Sequence, residues 1–420
     1  MRKIILTFLV NIIFILVLAG CTTLINEQTN NFYTEIINED NYNELIERMK
    51  DKDLVLLGES THGTQEYYEI RSLISKKLIE EHDFRFIAVE GDWKPIYKIN
   101  LYVKGLSEYE NANEILKTFD RWPEWMWANK VIEELAEWLK EYNQNLSEHE
   151  QVGIYGFDVY GAGKSLITVQ EMSNLEYNCM SQFLTDFTEY ARSLASNNDT
   201  CESEVIEIYE SIIQDENIKE RLNDKEYFYL KQNALIVKNA ERHYRAMVYP
   251  WLSSWNERVF HMNQTITYLI NEKQGKGILW AHNTHVGDSR ATSMIDSGSV
   301  NMGQLLRETE KDIFILGFGT YTGKVLAGRQ WGDNMQILNI PNAGSPSYEA
   351  IMNNHGINKG IIFMNNEDLP QDIIDINYNR AIGVVYNPEH EFPGNYVRTN
   401  ITARYDAFIF INQTNELQVI

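Results

Sequence analysis

The chain has 420 residues, of which 44% are hydrophobic, so it is long enough for one large domain with a sizeable core. Its formal net charge is −23 at pH 7. A protein this acidic repels nucleic acid and anionic lipid headgroups and attracts cationic ligands, so we exclude nucleic acid as a partner.

The N-terminus has the pattern of an export signal with a lipid anchor. A basic start and the apolar run 4–17 precede Leu18-Ala19-Gly20-Cys21, which fits a lipoprotein signal-peptidase site. We predict a signal peptide over 1–20, a lipidated Cys21, a tether over 21–31 and attachment to the extracytoplasmic side of the cell membrane. A plain secretory signal and a retained anchor are the alternatives.

From residue 53 onward, short apolar runs alternate with helical patterns. The runs lack clear alternation, as expected for strands buried on both faces of a parallel sheet. Several end in polar residues, at the sheet edge where α/β proteins bind ligands. The predicted strands are 54–57, 86–89, 152–157, 277–281, 313–318, 335–340, 360–363, 382–386 and 407–411.

Helices are predicted over 64–81 and, as a clear amphipathic pattern, over 124–142. The stretch 163–273 shows long helical patterns and no convincing strand. We therefore predict an α/β fold over residues 32–420. Its mostly parallel central sheet is flanked by helices, with a helical insertion, or cap, between two strands of the sheet.

The strongest candidate site follows the first predicted strand, in Gly58-Glu59-Ser60-Thr61-His62-Gly63. A histidine at a strand end can act as a general base near neutral pH. Glu59 is predicted to orient His62 or to cap the following helix through its charge. Arg71, about two turns inside that helix, leans back toward its start and forms a structural ion pair or positions Glu90.

Other strand ends supply further candidates. Glu90 is predicted to have a raised pKa and to protonate a leaving group, or to act as a base. Asp158 is predicted to contact the substrate or to cap the next helix. His282 and His285 are predicted to stabilise an oxyanion or protonate a leaving alkoxide. Their spacing, together with that of Glu59 and His62, also permits a metal site.

Tryptophans cluster near these strand ends. Trp93, Trp122, Trp125 and Trp127 are predicted either to wall an apolar ligand pocket or to pack in the core. The sequence has no Gly-x-Ser-x-Gly motif, which disfavours a serine esterase.

Two cysteines besides Cys21 lie in the helical stretch. Cys179 and Cys201 can form a single pairing, which would persist outside the cytoplasm. Sequence does not fix the distance between them, so a disulfide and two free thiols both stay open.

These motifs in combination resemble the erythromycin esterase family. Residues 58–63 fit its Gly-Glu-x-x-His-Gly signature, and residues 280–285 resemble its Trp-Ala-His-Asn-x-His motif. Arg71 and Glu90 stand where the family has an arginine and a glutamate. The resemblance extends over about residues 51–406, where 156–160 and 383–388 also match.

The resemblance implies hydrolysis of a carboxylic ester by water that His62 activates, with no metal or other cofactor. It suggests a small-molecule ester as the substrate, with a cationic macrolide lactone as one candidate. Two other classes stay open on the sequence: a metal-dependent hydrolase on the same Glu and His cluster, and a lipoprotein that binds its ligand without turnover.

Overall fold

The computed structural model describes residues 32–175, 179, 187–197, 200–249, 253–273, 275–309 and 311–420. Cys21 and the predicted signal and tether lie outside the described residues. The strands are β1 Thr34–Glu35, β2 Leu54–Leu57, β3 Phe84–Asp92, β4 Gly153–Asp158, β5 Lys276–Trp280, β6 Ile313–Ala327, β7 Gln336–Ile340, β8 Lys359–Phe363, β9 Asn377–Arg380, β10 Tyr396–Thr399 and β11 Ala407–Thr414.

One sheet holds nine of these strands, and it is mostly parallel as predicted. Its order is β1-β8-β11-β6-β2-β5-β3-β4, with β7 paired to β6. All neighbours from β11 to β4 are parallel, whereas β1, β7 and β8 pair antiparallel. Strands β9 and β10 form a separate antiparallel pair. The parallel strands therefore bring their carboxyl ends to one edge of the sheet.

Helices cover both faces of the sheet and fill the gap between β4 and β5. The described residues of that gap contain helices and no strand, which confirms the predicted helical insertion. The helices are α1 Asn43–Met49, α2 Gln65–His82, α3 Trp93–Val103, α4 Ala112–Leu116, α5 Lys130–Asn143, α6 Ala162–Ser173, α7 Phe187–Asn197, α8 Glu202–Gln214, α9 Glu216–Arg221, α10 Asp224–Val248, α11 Ser254–Lys273, α12 Asn283–Val286, α13 Met302–Arg307, α14 Tyr348–Asn354, α15 Gln371–Ile374 and α16 Ile401–Arg404.

The apolar residues form one core on each side of the sheet. Along β2, Val55 and Leu57 face the core beneath α2 and α5, whereas Leu54 and Leu56 face the core beneath α11 and α14. This alternation follows from the pleat of a strand that is buried on both faces. The insertion has its own core, which includes Val237 of α10. In the described residues, no helix is both long and apolar enough to cross a bilayer.

Two predicted elements are wrong. Residues 382–386 form isolated bridges instead of a strand, because Ile382 pairs with Thr61 and Val385 with Gly328, in two different segments. The helix predicted over 124–142 is divided into a 3-10 turn, Glu124–Met126, and α5. The side chain of Asn129 accepts a hydrogen bond from the Ile132 N–H and so starts a new helix.

The structure joins the two cysteines of the insertion. Cys179 and Cys201 form a disulfide with a Cα–Cα distance of 5.7 Å. The bridge ties the segment before α7 to the start of α8, so it lies within the insertion and away from the strand ends.

Candidate active site

Four parallel strands deliver the predicted side chains to one edge of the sheet. Glu59 and His282 each follow a strand by two residues, after β2 and β5, whereas Glu90 and Asp158 lie at the ends of β3 and β4. All four side chains are buried, with at most 5% of each residue exposed. His62 joins them from the turn between β2 and α2. The edge therefore concentrates ionisable groups in a place of low solvent access.

His62 is held by a chain of buried polar contacts. Its Nδ1 lies 2.9 Å from Oε1 of Glu59, and Nη2 of Arg71 donates to Oε2 of the same carboxylate at 2.8 Å. Because both oxygens of Glu59 are engaged in this way, the carboxylate orients His62 and does not cap α2. Arg71 forms an ion pair with Glu59, as the first of its two predicted roles requires, and the alternative that it positions Glu90 is wrong.

The environment of His62 favours its protonated form. Burial lowers the pKa of this imidazole, but the hydrogen bond and charge of Glu59, with the charge of Glu90, outweigh burial and raise it above the ordinary value of 6.5. Glu59 fixes the proton on Nδ1 in the neutral form, which leaves Nε2 as the basic nitrogen.

Glu90 lies at the centre of a second network. Its Oε1 accepts from Nη2 of Arg258 at 2.8 Å and lies 3.2 Å from Nε2 of His285. Its Oε2 accepts from the backbone N–H of His282 at 2.9 Å. Burial raises the pKa of Glu90, but the charges of His285 and Arg258 hold it well below the ordinary range. The predicted raised pKa and proton-donor role of Glu90 are therefore wrong, because the carboxylate stays ionised.

Arg258, on α11 of the insertion, binds two carboxylates at once. It donates to Asp158 from Nε at 2.8 Å and from Nη2 at 2.7 Å, besides its bond to Glu90. Burial opposes its charge, but Asp158 and Tyr160 raise the pKa of Arg258 well above its ordinary value. Asp158 does not cap a helix, because α6 begins only at Ala162 after Gly161.

The two histidines after β5 lie beside these networks. The ring of His282 is 4.9 Å from that of His62, and burial together with the charge of His62 lowers the pKa of His282 well below 6.5. His282 is therefore neutral. The ring of His285 stacks on Trp255 at 4.5 Å, which holds its Nε2 toward Glu90. Both histidines are buried behind the residues that line the cleft.

A cleft of about 120 Å³ opens next to His62. Charged and aromatic side chains share its wall. Those that matter for the chemistry are His62, Glu90, Asp92, Arg121, Asp158, Tyr160, Arg258 and Trp127. The Nε1 of Trp127 donates to the Glu90 carbonyl at 3.1 Å, so this ring is both a wall and a support for β3.

The other predicted tryptophans are not wall residues. Trp93 is 1% exposed and packs in the core, stacked on Tyr155 at 5.8 Å. Trp125 is 2% exposed and packs in the opposite core. Trp122 is bonded to the Asp333 carbonyl and contacts Trp331, and it is Trp331 that lines the cleft. Trp93 and Trp125 complete the two cores behind the cleft, whereas Trp122 is only partly buried and supports Trp331.

Sequence reasoning missed Arg258 and the pair formed by Asp92 and Arg121. Arg121 donates to both oxygens of Asp92, at 2.5 Å from Nε and 2.6 Å from Nη2. Asp92 follows Glu90 at a strand end, and that position was a usable signal. Arg258 lies inside a helical pattern and carries no comparable signal.

The carboxylate oxygens at the strand ends are already engaged by protein groups, whereas Nε2 of His282 and Nδ1 of His285 have no hydrogen-bond partner among the described residues. Among the described residues, the group that brings three ligand atoms within 4.8 Å of one another is Cys179, Cys201 and Glu204, and two of these share a disulfide. At the strand ends, Arg258 lies between Glu90 and Asp158 and engages the oxygens that a metal ion would take. The geometry therefore favours the arginine as the resident cation.

Together, the fold and the cleft define an α/β enzyme in which a carboxylate-oriented histidine and a partly buried arginine line the same cleft. The family model for erythromycin esterase matches residues 79–414. The chain belongs to the erythromycin esterase family, and it is an enzyme that hydrolyses carboxylic ester bonds.

Curated and solved proteins resemble this chain over most of its length. Erythromycin esterase type II from Escherichia coli is 21% identical, covering 91% of this chain and 94% of its own. A succinoglycan biosynthesis protein of known structure is 18% identical with a TM-score of 0.71, over 93% of this chain and 97% of that one. A mutant of the erythromycin esterase EreC in its open conformation is 16% identical with a TM-score of 0.63, over 90% of this chain and 94% of that one. These two structures share the fold.

Proposed function

We propose that His62 is the general base that activates water for attack on an ester carbonyl. The observation that carries this is the Arg71–Glu59–His62 chain, because it leaves Nε2 of a cleft-lining imidazole as the basic nitrogen. Water gives a proton to Nε2 as its oxygen bonds to the carbonyl carbon. The protonated His62, stabilised by Glu59, then returns the proton to the leaving alkoxide as the carbon–oxygen bond breaks.

Arg258 is the group that we assign to the developing oxyanion. It is a permanent charge on the cleft wall, and its position is fixed by Glu90 and Asp158. His282 and His285 support this arrangement from behind, because the backbone N–H of His282 and the side-chain Nε2 of His285 both contact the carboxylate of Glu90. In this proposal they are positioning residues.

The proposal makes catalysis independent of a metal, with a metal-dependent hydrolase on the same cluster as the alternative. Metal analysis of purified enzyme, followed by chelation, separates the two. We expect turnover to survive chelation, because Arg258 supplies the positive charge. Stoichiometric zinc or manganese that is lost together with activity would contradict the proposal.

For the substrate we propose a small-molecule ester, with a macrolide lactone as a candidate that requires the cleft to open. Pockets for drug-sized ligands occupy about 300–1,000 Å³, and the cleft measures about 120 Å³. A product-detecting screen should compare short acyl esters with a macrolide panel. Cleavage of short esters alone would rule out the macrolides. Binding without any product would instead favour a ligand-binding lipoprotein.

We also propose that the mature protein is anchored to the cell membrane through a lipidated Cys21, facing the extracytoplasmic side. Support comes from the signal-peptidase pattern and from the Cys179–Cys201 disulfide, since disulfides persist in oxidising compartments. The Cys21→Ala variant should leave the membrane fraction or remain unprocessed. Membrane attachment equal to that of the wild type would mean that the segment is a retained anchor.

A further inference from the structure

The mouth of the active-site cleft carries an apolar surface that the proposed chemistry does not use. Pro123, Trp331 and Val384 line the cleft beside its charged groups, and we call these three residues the apolar rim. Pro123 and Val384 are partly buried. Trp331 is 64% exposed, more than any other aromatic side chain in the part of the chain that the structure describes. A tryptophan this exposed adds little to the core, so its large apolar surface is open to a ligand.

The apolar rim is built from three segments that contact one another. The Nε1 of Trp122 donates to the Asp333 carbonyl at 2.9 Å, and the rings of Trp122 and Trp331 meet edge to face with 4.6 Å between their centres. The N–H of Gly328 donates to the Val384 carbonyl at 2.9 Å. These contacts hold the exposed indole in place at the cleft, so a ligand meets a surface that is already formed.

The same segments are attached to the turn that carries His62. The N–H of Leu326 donates to the Gly63 carbonyl at 3.0 Å, and the N–H of Ile382 donates to the Ser60 carbonyl at 2.8 Å. The apolar rim and the catalytic histidine are therefore fixed relative to each other. A substrate group that lies on the rim would help to place the ester bond at His62.

The cleft alone is small for an ester with a large substituent. It measures about 120 Å³, whereas pockets for drug-sized ligands occupy about 300–1,000 Å³. A substituent that is too large for the cleft extends through its mouth, where it meets Trp331. Contact there removes apolar surface of both partners from water, which favours binding.

We propose that Trp331, supported by Trp122, is a specificity-determining residue that binds an apolar group of the ester outside the cleft. The substrate is then an ester with one bulky apolar group, on its acyl or its alcohol side. This inference rests on the proposed function, in which the ester carbonyl lies next to His62. It adds the group that holds the rest of the substrate.

Unreactive amides test the binding without turnover. The probes are N-(2-naphthylmethyl)acetamide and N-methyl-2-naphthylacetamide, which place the apolar group on opposite sides of the carbonyl, with N-methylacetamide as the small reference. Calorimetric titration should show at least one naphthyl amide binding at least about tenfold more tightly than the reference. The tighter of the two shows which side of the ester lies on the rim. Failure of both to exceed the reference would overturn the inference.

Variants of exposed residues locate the binding. Trp331→Ala should weaken the preferred naphthyl amide at least about tenfold, whereas Trp331→Phe keeps an aromatic surface and should weaken it less. Leu106→Ala removes another exposed apolar side chain, at 52% exposure, beyond the last turn of α3 and outside the cleft. It should bind like the wild type. Equal affinity in Trp331→Ala and Leu106→Ala would place the binding elsewhere and overturn the inference.

Esters of the same shapes separate this inference from the proposed reaction. The wild type should prefer 2-naphthylmethyl acetate or ethyl 2-naphthylacetate to ethyl acetate in kcat/KM. Trp331→Ala should reduce that preference at least about tenfold, because binding energy remote from the reacting bond is lost. An undiminished preference would overturn the inference. Amide binding that depends on Trp331, in a protein that cleaves none of the esters, would support the rim and refute the proposed reaction.

Discussion

Two charged clusters meet at the cleft, and the chain holds them in different ways. Arg71, Glu59 and His62 belong to one strand–turn–helix unit, β2 and α2, within 13 residues of sequence. Arg258 instead joins the insertion to Glu90 of β3 and Asp158 of β4. The first cluster is local, whereas the second exists only while the insertion is docked on the sheet. Substitutions in the first should change the chemistry, and those in the second should also loosen the insertion.

The largest effect should come from the first cluster. His62→Ala removes the proposed base, so kcat should fall roughly 10²–10⁴-fold, the usual contribution of general base catalysis. Glu59 keeps its bond to Arg71 in this variant, so the fold should remain. Steady-state kinetics and thermal melting measure both effects.

His355→Ala is the matched control for that variant. This histidine pairs with Asp372 at the surface, away from the cleft, and its loss should leave kcat near the wild-type value. Near-full activity of His62→Ala on a confirmed substrate would assign the base to another group and refute the role given to His62.

The second cluster should show a mixed effect. Arg258→Met leaves two buried carboxylates without their cation, a change that typically costs about 3–5 kcal/mol of folding free energy. It also removes the proposed oxyanion partner, so kcat should fall by about 10²-fold. Arg398→Met removes an exposed arginine of β10 that forms no ion pair among the described residues and should do neither. Wild-type melting together with reduced kcat would show that the arginine acts on chemistry alone.

The stability difference for Arg258→Met should also depend on pH. In the wild type the pKa values of Glu90 and Asp158 are lowered, so both carboxylates stabilise the fold above about pH 4 and lose this as the pH falls through their folded values. Without Arg258, burial favours the neutral form of Asp158, whereas His285 still favours the ionised form of Glu90. The difference in melting temperature between the wild type and Arg258→Met should therefore become smaller as the pH is lowered from 7 to 5. A constant difference would contradict this account.

A smaller effect, on the pH dependence of kcat, is specific to the cluster of Arg71, Glu59 and His62. The proposed mechanism requires neutral His62, whose pKa is raised above 6.5, so kcat should increase as the pH rises through a value above 6.5. In Glu59→Gln the negative charge that raises this pKa is lost, although the amide oxygen can still accept from Nδ1, and burial then lowers the pKa. The ascending limb of the pH–rate profile should move to lower pH with a reduced plateau. An unmoved limb would show that another group titrates.

The same contrast explains what the sequence could predict. Glu59, His62, Glu90 and Asp158 follow buried apolar strands directly, and parallel strands share one edge, so their meeting point was predictable. The position of Arg258 at this site was not predictable, because Arg258 lies 100 residues beyond Asp158 in a helical pattern. Local periodicity does not encode which helix docks on which strand end.

The strands show the same contrast between elements that the local sequence predicts and elements that tertiary contacts hold in place. The buried parallel strands were predicted from their apolar runs. Strand β1 has two residues, and β9 and β10 have the polar sequences Asn-Tyr-Asn-Arg and Tyr-Val-Arg-Thr, so none of them has an apolar run. These three strands form backbone hydrogen bonds because neighbouring segments hold them next to their partner strands. The antiparallel pair of β9 and β10 is stabilised by Arg380 of β9, which is buried and donates to the Thr320 and Tyr321 carbonyls.

The smallest effect on turnover should come from the disulfide, although it lies in the same insertion as Arg258. Replacing Cys179 and Cys201 together by serine opens a link across a sequence separation of 22. Such a loop contributes on the order of 3 kcal/mol in the chain-entropy model. Because Arg258 is held by carboxylates of the sheet, kcat should change less than about twofold while the melting temperature falls. A loss of kcat as large as that of Arg258→Met would mean that the disulfide helps to place Arg258, and that the insertion acts as one rigid unit.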